Sequence, residues 1–405
     1  MAESPPPQAA SQPLNKKIIA AVTAVVFIYW VSLYLYVPTL PVYVNGIVND
    51  LALVGTILAM YGFWQMLSRM PTGIIADWIG RRKPDIFLGL VLAGVGALIM
   101  GAAQGAPGLL VGRAITGIGA GAWVPLVVLF TSLFPAKDII RATALLTVVN
   151  TLGRMTGTIS TGFLNNLGGY TLAFHLAAVV ALLGIIVLAF IPEKRRMPQP
   201  PSLNKLGVLF KRPDVMVPTL LSAALHYGDW AGSFTFFPLL ASRFGAGNVT
   251  LSLLTTLNLA MVLLGNVFSA SLARRLGEKR LVTISFVLMA LGLAGGALAP
   301  SLVFVFIAQY IAGCAFGVGY PVLMGLSIKK VDPIEQNSAM GIHQSVYALG
   351  MFAGPWISGL LAKTIGVQPM FGVTAGVIFV VGLAGQRLLD ENPPPQAPTP
   401  SAHKG

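Results

Sequence analysis

Charged residues and cysteines are scarce in this chain of 405 residues. Asp, Glu, Lys and Arg together make up 10% of it, hydrophobic residues make up 55%, and Cys314 is the single cysteine. So few charges cannot give a soluble globule a polar surface, and one cysteine allows no disulfide within the chain. The sequence also lacks an HExxH motif, a Cys/His ligand set, a Walker loop and a GxSxG motif. It therefore predicts neither an enzyme nor a resident metal or cofactor, and it gives no sign of direct ATP use by this chain.

Long apolar runs are what the chain has instead. Runs of about 20 residues, enough to cross about 30 Å of hydrocarbon as a helix, recur along nearly the whole chain. The strands of a membrane barrel would alternate polar and apolar residues, which these runs do not. We predict an all-α polytopic membrane protein. Its twelve transmembrane helices should begin near residues 18, 52, 85, 107, 140, 169, 214, 250, 281, 302, 339 and 367.

The lysines and arginines indicate how these spans are oriented. An even number of spans puts both termini on one side, and short cytoplasmic loops are enriched in Lys and Arg. With the N-terminus in the cytoplasm, only Arg243 and Lys363 among the loop cations fall outside. The net charge of +13 is then a topology signal facing anionic lipid headgroups, and nucleic acid is not an expected partner. We predict a cell-membrane protein with both termini in the cytoplasm, and we expect a monomer.

The second half of the sequence repeats the first. The stretch LGRMTGTISTGFL (152–164) in the fifth span returns as LGMFAGPWISGLL (349–361) in the eleventh. The shift is 350 minus 153, or 197 residues. Pairs at or near the same shift are Ser32 and Asp229, Pro41 and Pro238, Gly80 and Gly277, and Arg113 and Gln309.

The repeat predicts two pseudo-symmetric six-helix bundles. Two homologous halves in one membrane create an interface at which a substrate site opens alternately to either side, an arrangement typical of secondary transporters. The predicted segments are a disordered tail (1–15), the first bundle (16–192), a cytoplasmic linker (193–213), the second bundle (214–390) and a second disordered tail (391–405).

The loop between the second and third spans carries the most specific motif, GIIADWIGRRK (73–83). It resembles the major facilitator superfamily signature Gly-x-Leu-Ala-Asp-Arg-x-Gly-Arg-Arg/Lys, with Trp78 in place of one arginine. The resemblance implies the twelve-helix major facilitator fold and a latch that closes the cytoplasmic side against helix 11 in the outward-facing state. The alternative is that RRK only anchors the loop in the cytoplasm. The latch residues are Gly73, Asp77, Gly80 and Arg81.

Two further motifs lie on the fourth and fifth spans. RAITGIGAGA (113–122) resembles the family's second motif, and the glycines of the fifth span resemble its antiporter motif, although Thr158 stands where that motif has proline. These likenesses imply the drug/proton antiporter-like branch. Arg113 and Arg154 lie inside these spans, as Arg69 does in the second, and a charge at mid-helix normally faces a polar cavity or a partner.

Asp229 is the one carboxylate that we place deep inside the membrane. With Ser222, His226 and Ser233 it forms a polar stripe at helical spacing, which must face protein or water. The protonation of a desolvated carboxylate depends on whether its cavity is dry, wet or filled, which is what proton coupling requires. The alternative is a fixed ion pair between Asp229 and His226, Arg154 or Arg113.

Histidine has an unperturbed pKa near 6.5, so His226 is a candidate proton relay one turn from Asp229. Of the remaining histidines in the spans, we expect His343 to make a helix-end hydrogen bond and His175 to lie outside the cavity.

Aromatic side chains cluster at the depth of Asp229, and most aromatics in a bundle serve packing or the membrane interface. Here they fall on helices that line the cavity in the resembled family. The predicted substrate cavity consists of Tyr29, Trp30, Tyr34, Arg113, Trp123, Arg154, Tyr227, Trp230, Gln309, Tyr310 and Tyr347, with Tyr320 nearby.

The composition, the repeat and the motifs together predict a secondary active transporter that works by alternating access. The expected activity is proton-coupled export of a small amphipathic organic compound or drug, with protons entering through Asp229 and His226. The alternative is uptake or exchange of an organic anion bound by Arg113 and Arg154, since two basic groups face one acidic group. The expected partners are a small-molecule substrate, protons and the lipid bilayer.

Overall fold

Helices form every regular element in the part of the chain that the structure describes. The structure is a computed structural model, and it describes residues 16–135, 138–193, 195, 203–332 and 335–389. The predicted tails and part of the predicted linker lie outside these residues. The all-α prediction is therefore confirmed.

The first set of helices runs from the start of the described chain to the linker. Its members are α1 (Lys16–Tyr34), α2 (Leu40–Val48), α3 (Leu51–Ile79), α4 (Lys83–Gly101), α5 (Ala106–Gly119), α6 (Trp123–Thr131) and α7 (Ile139–Ala189). The linker contains the short helix α8 (Leu203–Phe210). The second set is α9 (Pro213–Ala231), α10 (Phe237–Arg243), α11 (Asn248–Leu276), α12 (Glu278–Ala297), α13 (Leu302–Ile328), α14 (Gln336–Ile365) and α15 (Val367–Gly385).

These helices account for the twelve predicted spans. Within the described residues, ten segments are long and apolar enough to cross a membrane. One of them, 141–189, lies in α7, which bends at Gly168 and Gly169 and so supplies the fifth and sixth spans. The path of α9 and α10 supplies the seventh, and its polar residues and prolines keep its mean hydropathy too low for it to appear among the ten.

Prolines mark the breaks in the first and seventh spans. Proline has no N–H to donate to the preceding turn, so it interrupts a helix that would otherwise continue. Pro41 lies at the start of α2, after a 3₁₀ turn (Val37–Thr39) that separates α2 from α1. Its repeat partner Pro238 lies at the start of α10, after a π turn (Gly232–Phe236). Because such turns redirect side chains, the π turn sets the direction of the segment that follows Asp229.

Glycines with positive φ end equivalent helices in the two sets. Gly80 closes α3 at φ 69°, and Gly277 closes α11 at φ 84°. Gly169 and Gly366 lie at the bends before the sixth and twelfth spans, at φ 69° and 92°, and they are 366 minus 169, or 197 residues, apart. L-residues with a Cβ rarely adopt this conformation, so the glycines are required by the turns and repeat with them.

The two sets meet closely on the side opposite the ends of the described chain, which we call the distal side. Lys363 of α14 binds Asp50 at the start of α3, with Nζ and Oδ2 2.6 Å apart. Below this pair, Gly359 faces Gly55 so closely that an added Cβ on Gly359 would lie 2.8 Å from the Gly55 Cα. The distal side is therefore closed.

On the side that holds the first and last described residues, which we call the terminal side, the polar contacts differ from those on the distal side. Glu193 accepts hydrogen bonds from the backbone N–H groups of Arg82 and Lys83, and Arg212 binds Asp214 and the Lys330 carbonyl. Each of these contacts stays within one set. At the central cluster described below, Trp123 and the neighbouring Arg154 are half-buried, whereas the other rings are buried.

Candidate functional site

Six aromatic rings, the aromatic cluster, meet at the centre of the molecule where the two sets face each other. Trp30 packs against Tyr34 and Trp123, with ring centroids 5.7 and 5.2 Å apart. Across the boundary, Tyr61 of α3 stacks on Trp230 of α9 at 5.4 Å, and Tyr34 meets Phe234 at 6.3 Å. The π turn after α9 places Trp230 and Phe234 within 5.1 Å of each other. The cluster is thus built jointly by both sets.

Two arginines of the first set lie on these rings. The Arg154 guanidinium carbon is 4.5 Å from the Tyr34 ring centroid and 5.9 Å from that of Phe234. The Arg113 guanidinium carbon is 4.3 Å from the Tyr61 centroid, and Arg113 is 3% exposed. Cations over aromatic faces gain about 0.5–2 kcal/mol, well below the cost of burying a charge. The rings hold the two guanidinium groups without neutralising them.

The polar atoms of this region are incompletely satisfied. The Nε atoms of Arg113 and Arg154 are buried without a hydrogen-bond partner, as is Oδ1 of Asp229. No ion pair among the described residues involves any of these three side chains. Since buried polar groups are normally paired, these unpaired charges make this region the candidate binding site.

Asp229 lies on α9 with 3% of its surface exposed. Ser222, His226 and Ser233 are also buried, so the predicted stripe faces the protein interior. The groups that act on its carboxylate are the Ser233 hydroxyl and, through space, the Arg154 guanidinium. The fixed ion pair considered from the sequence is absent from this conformation, since no cation among the described residues pairs with Asp229.

His226 belongs to a second group of rings on the terminal side of Asp229. Its ring stacks on Tyr347 of α14 with centroids 4.1 Å apart and an interplanar angle of 7°. Its Nδ1 lies 2.8 Å from the Ser222 carbonyl oxygen, which only accepts, so Nδ1 carries the proton and donates. Arg69 of α3 donates to the Tyr347 hydroxyl and to the Gln344 carbonyl. Arg69 therefore links the two sets through the residue that supports His226.

His343 is placed differently from the expectation. It is fully buried, and its Nδ1 lies 3.1 Å from the Thr219 hydroxyl of α9. Its ring meets those of Tyr320 and Tyr347, and Nε2 is buried without a partner. The helix-end hydrogen bond expected from its sequence position was wrong, because α14 continues past it to the terminal side. His175 is exposed on α7, outside the cluster as expected.

Four residues of the predicted cavity serve other contacts. Tyr29 is buried, and its hydroxyl donates to the Gly119 carbonyl at 3.0 Å, which ties α1 to α5. Gln309 accepts from the Asn258 side chain at 2.9 Å through its backbone carbonyl. The Tyr227 hydroxyl interacts with Ser358 and Thr374, and Tyr310 packs against Phe306 at 5.7 Å. Their part in substrate binding stays a prediction.

The predicted latch lies at the terminal end of α3. Gly80 ends the helix and Arg81 is exposed. Gly73 lies close to Val124, because an added Cβ would be 3.3 Å from the Val124 side chain and would require it to shift. The side chain of Asp77 lies outside the part that the structure describes. With the distal side closed, this conformation leaves the latch function a prediction for the opposite state.

Several residues of the site gave no sign in the sequence. Tyr61, Phe234 and Phe316 sit in apolar runs, and only their contacts with Arg113, Arg154 and His226 single them out. For Tyr61 alone, the internal repeat offers an indirect signal. Tyr61 corresponds through the 197-residue shift to Asn258, a polar residue in the same turn of the repeat.

Cavities and ligand sets elsewhere add little to this picture. Among the described residues, no group of three His, Cys, Asp or Glu side chains could hold a metal ion. A groove of about 1370 Å³ opens on the terminal side of the second set, beside residues such as Arg274 and Lys329. None of its lining residues belongs to the aromatic cluster, so its size does not make it the substrate site.

Comparison with known proteins places this geometry in context. The family model described as Major Facilitator Superfamily matches residues 22–225 and again residues 219–405. The chain is 26% identical over 374 residues to the Transcription regulatory protein OpdE of Pseudomonas aeruginosa, covering 89% of this chain and 91% of that protein. It is 24% identical over 369 residues to the Tetracycline resistance protein, class H, of Pasteurella multocida, covering 84% and 88%.

A solved structure shows the same fold. A bacterial homolog of the human lysosomal transporter Spinster, in an inward-facing and unoccupied conformation, matches with a TM-score of 0.75 at 17% identity. The match covers 94% of this chain and 98% of that one. At this identity the likeness speaks for the fold alone.

Proposed function

The chain belongs to the major facilitator superfamily, and from that premise we propose that it exports small amphipathic organic compounds in exchange for protons. The chain is a transporter and not an enzyme. The observation that carries the finer proposal is Asp229, a buried carboxylate with an unpaired oxygen beside an aromatic cluster built by both sets. A group in that position loses or gains its proton when the cleft around it changes hydration or occupancy.

Alternating access gives this carboxylate its coupling role. We take the closed distal side as the mark of one end state, in which access is from the terminal side. Rocking the two sets about the cluster would close the terminal side and expose Asp229 to the opposite one. The positive-inside distribution supports the proposal that the terminal side faces the cytoplasm of a cell, and we propose that the protein works in the cell membrane as a monomer.

The direction of transport is proposed as export. A relative that carries tetracycline resistance in its name supports this direction, as does the aromatic wall, which suits bulky amphipathic molecules. His226, stacked on Tyr347 and held by the Ser222 carbonyl, is placed to relay protons between Asp229 and the terminal side.

The test is transport by purified protein in proteoliposomes. A thermal-shift screen of amphipathic compounds, starting with tetracycline, first identifies a ligand. An imposed pH gradient should then drive that compound uphill, and Asp229→Asn should abolish uphill transport while leaving exchange between equal concentrations. Asp214→Asn is the matched control, because Asp214 lies on the same helix but binds Arg212 at its end. Unchanged gradient-driven transport by Asp229→Asn would contradict the proposal.

The alternative function, uptake or exchange, is distinguished from export by the direction of transport relative to the imposed pH gradient. An exporter of this kind moves its compound toward the acidic compartment, whereas a symporter moves it away. Net transport of the compound in the direction of proton flow would therefore indicate uptake by symport and contradict export. Transport that does not depend on the gradient would indicate exchange without proton coupling.

A further inference from the structure

Resting on the proposed function, we infer that the transported compound is an organic anion whose acidic group binds between Arg113 and Arg154. Its ring or apolar body then packs on the aromatic cluster. The juxtaposition that carries this inference is two buried guanidinium groups over aromatic rings, each with an unpaired Nε, next to a single carboxylate.

Charge balance is the first step. Arg113 and Arg154 contribute two positive charges, and Asp229 offers one negative charge when ionised. Burying an uncompensated charge costs several kcal/mol even after relaxation, so a site with one excess cation is completed by one more anion. A monoanionic substrate makes the loaded site neutral, and a neutral site crosses between the two end states at the least cost.

The position of the acidic group follows from the rings. The Tyr34 hydroxyl interacts electrostatically with both guanidinium groups and is hydrogen-bonded to that of Arg154. Arg154 also touches the Phe234 ring, which packs on Trp230, and Trp230 stacks on the Tyr61 ring below Arg113. The two cations thus flank one continuous aromatic surface. Carboxylate and phosphate groups are the acids that a guanidinium fork binds best.

Arg69 has a different role, although it is also buried. It donates hydrogen bonds to the Tyr347 hydroxyl and the Gln344 carbonyl and so joins α3 to α14. Its cation lies against the Tyr347 ring, 5.0 Å from the centroid, and not on the aromatic cluster. This arginine holds the two sets together in the present conformation.

The repeat shows that the fold does not need cations at these two positions. Gln309 occupies the place of Arg113 in the second set, and Met351 occupies that of Arg154. Both equivalents are buried, and Gln309 binds backbone carbonyls of Ser233 and Leu254 at 3.5 Å. Replacing each arginine by its repeat equivalent should therefore leave folding intact or improve it.

The experiment measures binding in uncharged detergent, without any gradient, by titration calorimetry of the full-length protein. The probes share one ring system and differ in charge: 1-naphthoate, 1-naphthylmethanol and 1-naphthylmethylammonium. We expect the carboxylate to bind roughly tenfold or more tightly than either of the others. Arg113→Gln and Arg154→Met should each lower its affinity roughly tenfold to a hundredfold and leave that of the alcohol within about twofold.

Conservative and distant variants separate charge from structure. Arg113→Lys and Arg154→Lys keep the charge and should retain most of the preference for the carboxylate, while Arg243→Gln, an exposed cation at the end of α10, should change nothing. Thermal unfolding of Arg154→Met should occur at the same or a higher temperature than that of the wild type. A purely structural role for the arginines would instead lower it.

Four outcomes would overturn the inference, three of them concerning selectivity. These are equal binding of the three probes, preference for the ammonium compound, and carboxylate binding that Arg113→Gln and Arg154→Met leave unchanged. Failure to bind 1-naphthoate at about millimolar concentration counts with them. None of these outcomes touches proton coupling, because Asp229→Asn is assayed on whichever compound the proteoliposomes transport.

Discussion

The two sets of helices share one backbone plan and differ in the charge they carry at its centre. The first set places Arg113 and Arg154 on the aromatic cluster, where the second set has Gln309 and Met351. The second set places its carboxylate there, and the described residues of the first set place none there. Twofold symmetry of the scaffold therefore does not explain these charges, which sit where the two sets face each other.

Ser32 and Asp229 show how equivalent positions acquire different surroundings. The Ser32 hydroxyl donates to the Ala177 carbonyl of α7 at 2.9 Å and is 1% exposed. Asp229 lies at the equivalent position on α9, just before the π turn, and its carboxylate interacts electrostatically with Arg154. One position ties two helices of a set together, and the other faces the site.

The largest effect on stability is expected when the difference between the two positions is removed by placing a carboxylate at Ser32. In Ser32→Asp, a carboxylate would face the Ala177 carbonyl in a site with no described cation, and an uncompensated buried charge costs about 3–5 kcal/mol. We expect thermal unfolding of the purified protein to drop sharply or folding to fail. The matched change Asp229→Ser should keep the protein folded. Equal stability of the two variants would show that the two environments are alike.

A smaller effect is expected where equivalent glycines bring the sets together. Gly359 and its repeat equivalent Gly162 both face the opposite set, and a Cβ on Gly162 would lie 2.6 Å from the Val249 Cα. Gly359→Ala and Gly162→Ala should push the distal side open, because the backbones must separate to admit the methyl group. The transport rate should fall about tenfold, equivalent to about 1.4 kcal/mol.

Distal opening is read out by labelling Thr256→Cys in a Cys314→Ser background. The Thr256 hydroxyl contacts that of Thr158 at 2.8 Å across the two sets, so a reagent reaches it only after they part. The control is Gly46→Ala in α2, where an added Cβ meets nothing within 4 Å. If Gly359→Ala labels no faster than Gly46→Ala, these glycines do not hold the distal side closed.

The smallest effect concerns pH at the distal side, where equivalent contacts again differ in charge. Lys363 binds Asp50, whereas its repeat equivalent Asn166 accepts a hydrogen bond from Asn248 at 3.0 Å. The hydrogen bond from Lys363, with those from the α3 backbone, lowers the pKa of Asp50 below its usual range. Because this pKa is lowered in the closed state, the pair favours closure at neutral pH and loses that contribution as pH falls through the lowered value.

Acid should therefore speed labelling of Thr256→Cys relative to an unfolded control of the same variant labelled at the same pH, which corrects for the loss of thiolate in acid. The factor should match about 0–1 kcal/mol for an exposed pair. Lys363→Gln should remove most of this pH dependence, while Asn166→Ala should loosen the distal side equally at every pH. An identical pH profile in wild type and Lys363→Gln would rule the ion pair out as its source.

Parts of this architecture were predictable from the sequence because they depend on local or repeated patterns. The spans follow from hydropathy, the bends from Pro41 and Pro238, and the isolation of Asp229 from its being the one acid in a long apolar stretch. The contacts of Arg113 were not predictable, since Tyr61 lies on another helix and only the fold brings the two together. The helix-end hydrogen bond predicted for His343 was wrong for the same reason, because the partners of His343 are on α9 and α13.

The unpaired state of the charges also required the structure. The sequence allowed Asp229 to pair with His226, Arg154 or Arg113, and only the orientation of α9 separates these possibilities. His226 turns toward Tyr347 and the Ser222 carbonyl, which leaves Asp229 facing Arg154 without an ion pair.

Infrared difference spectroscopy of the protein in lipid bilayers measures the protonation of Asp229 most directly. When the pH is cycled, we expect the carbonyl band of a protonated carboxylic acid to appear and disappear reversibly in the wild type. The spectrum of Asp229→Asn should lack that band while keeping the bands of the other carboxylates. The control Asp214→Asn should retain the band assigned to Asp229. A difference spectrum of Asp229→Asn identical to that of the wild type would show that Asp229 does not exchange a proton, and it would contradict proton coupling through this residue.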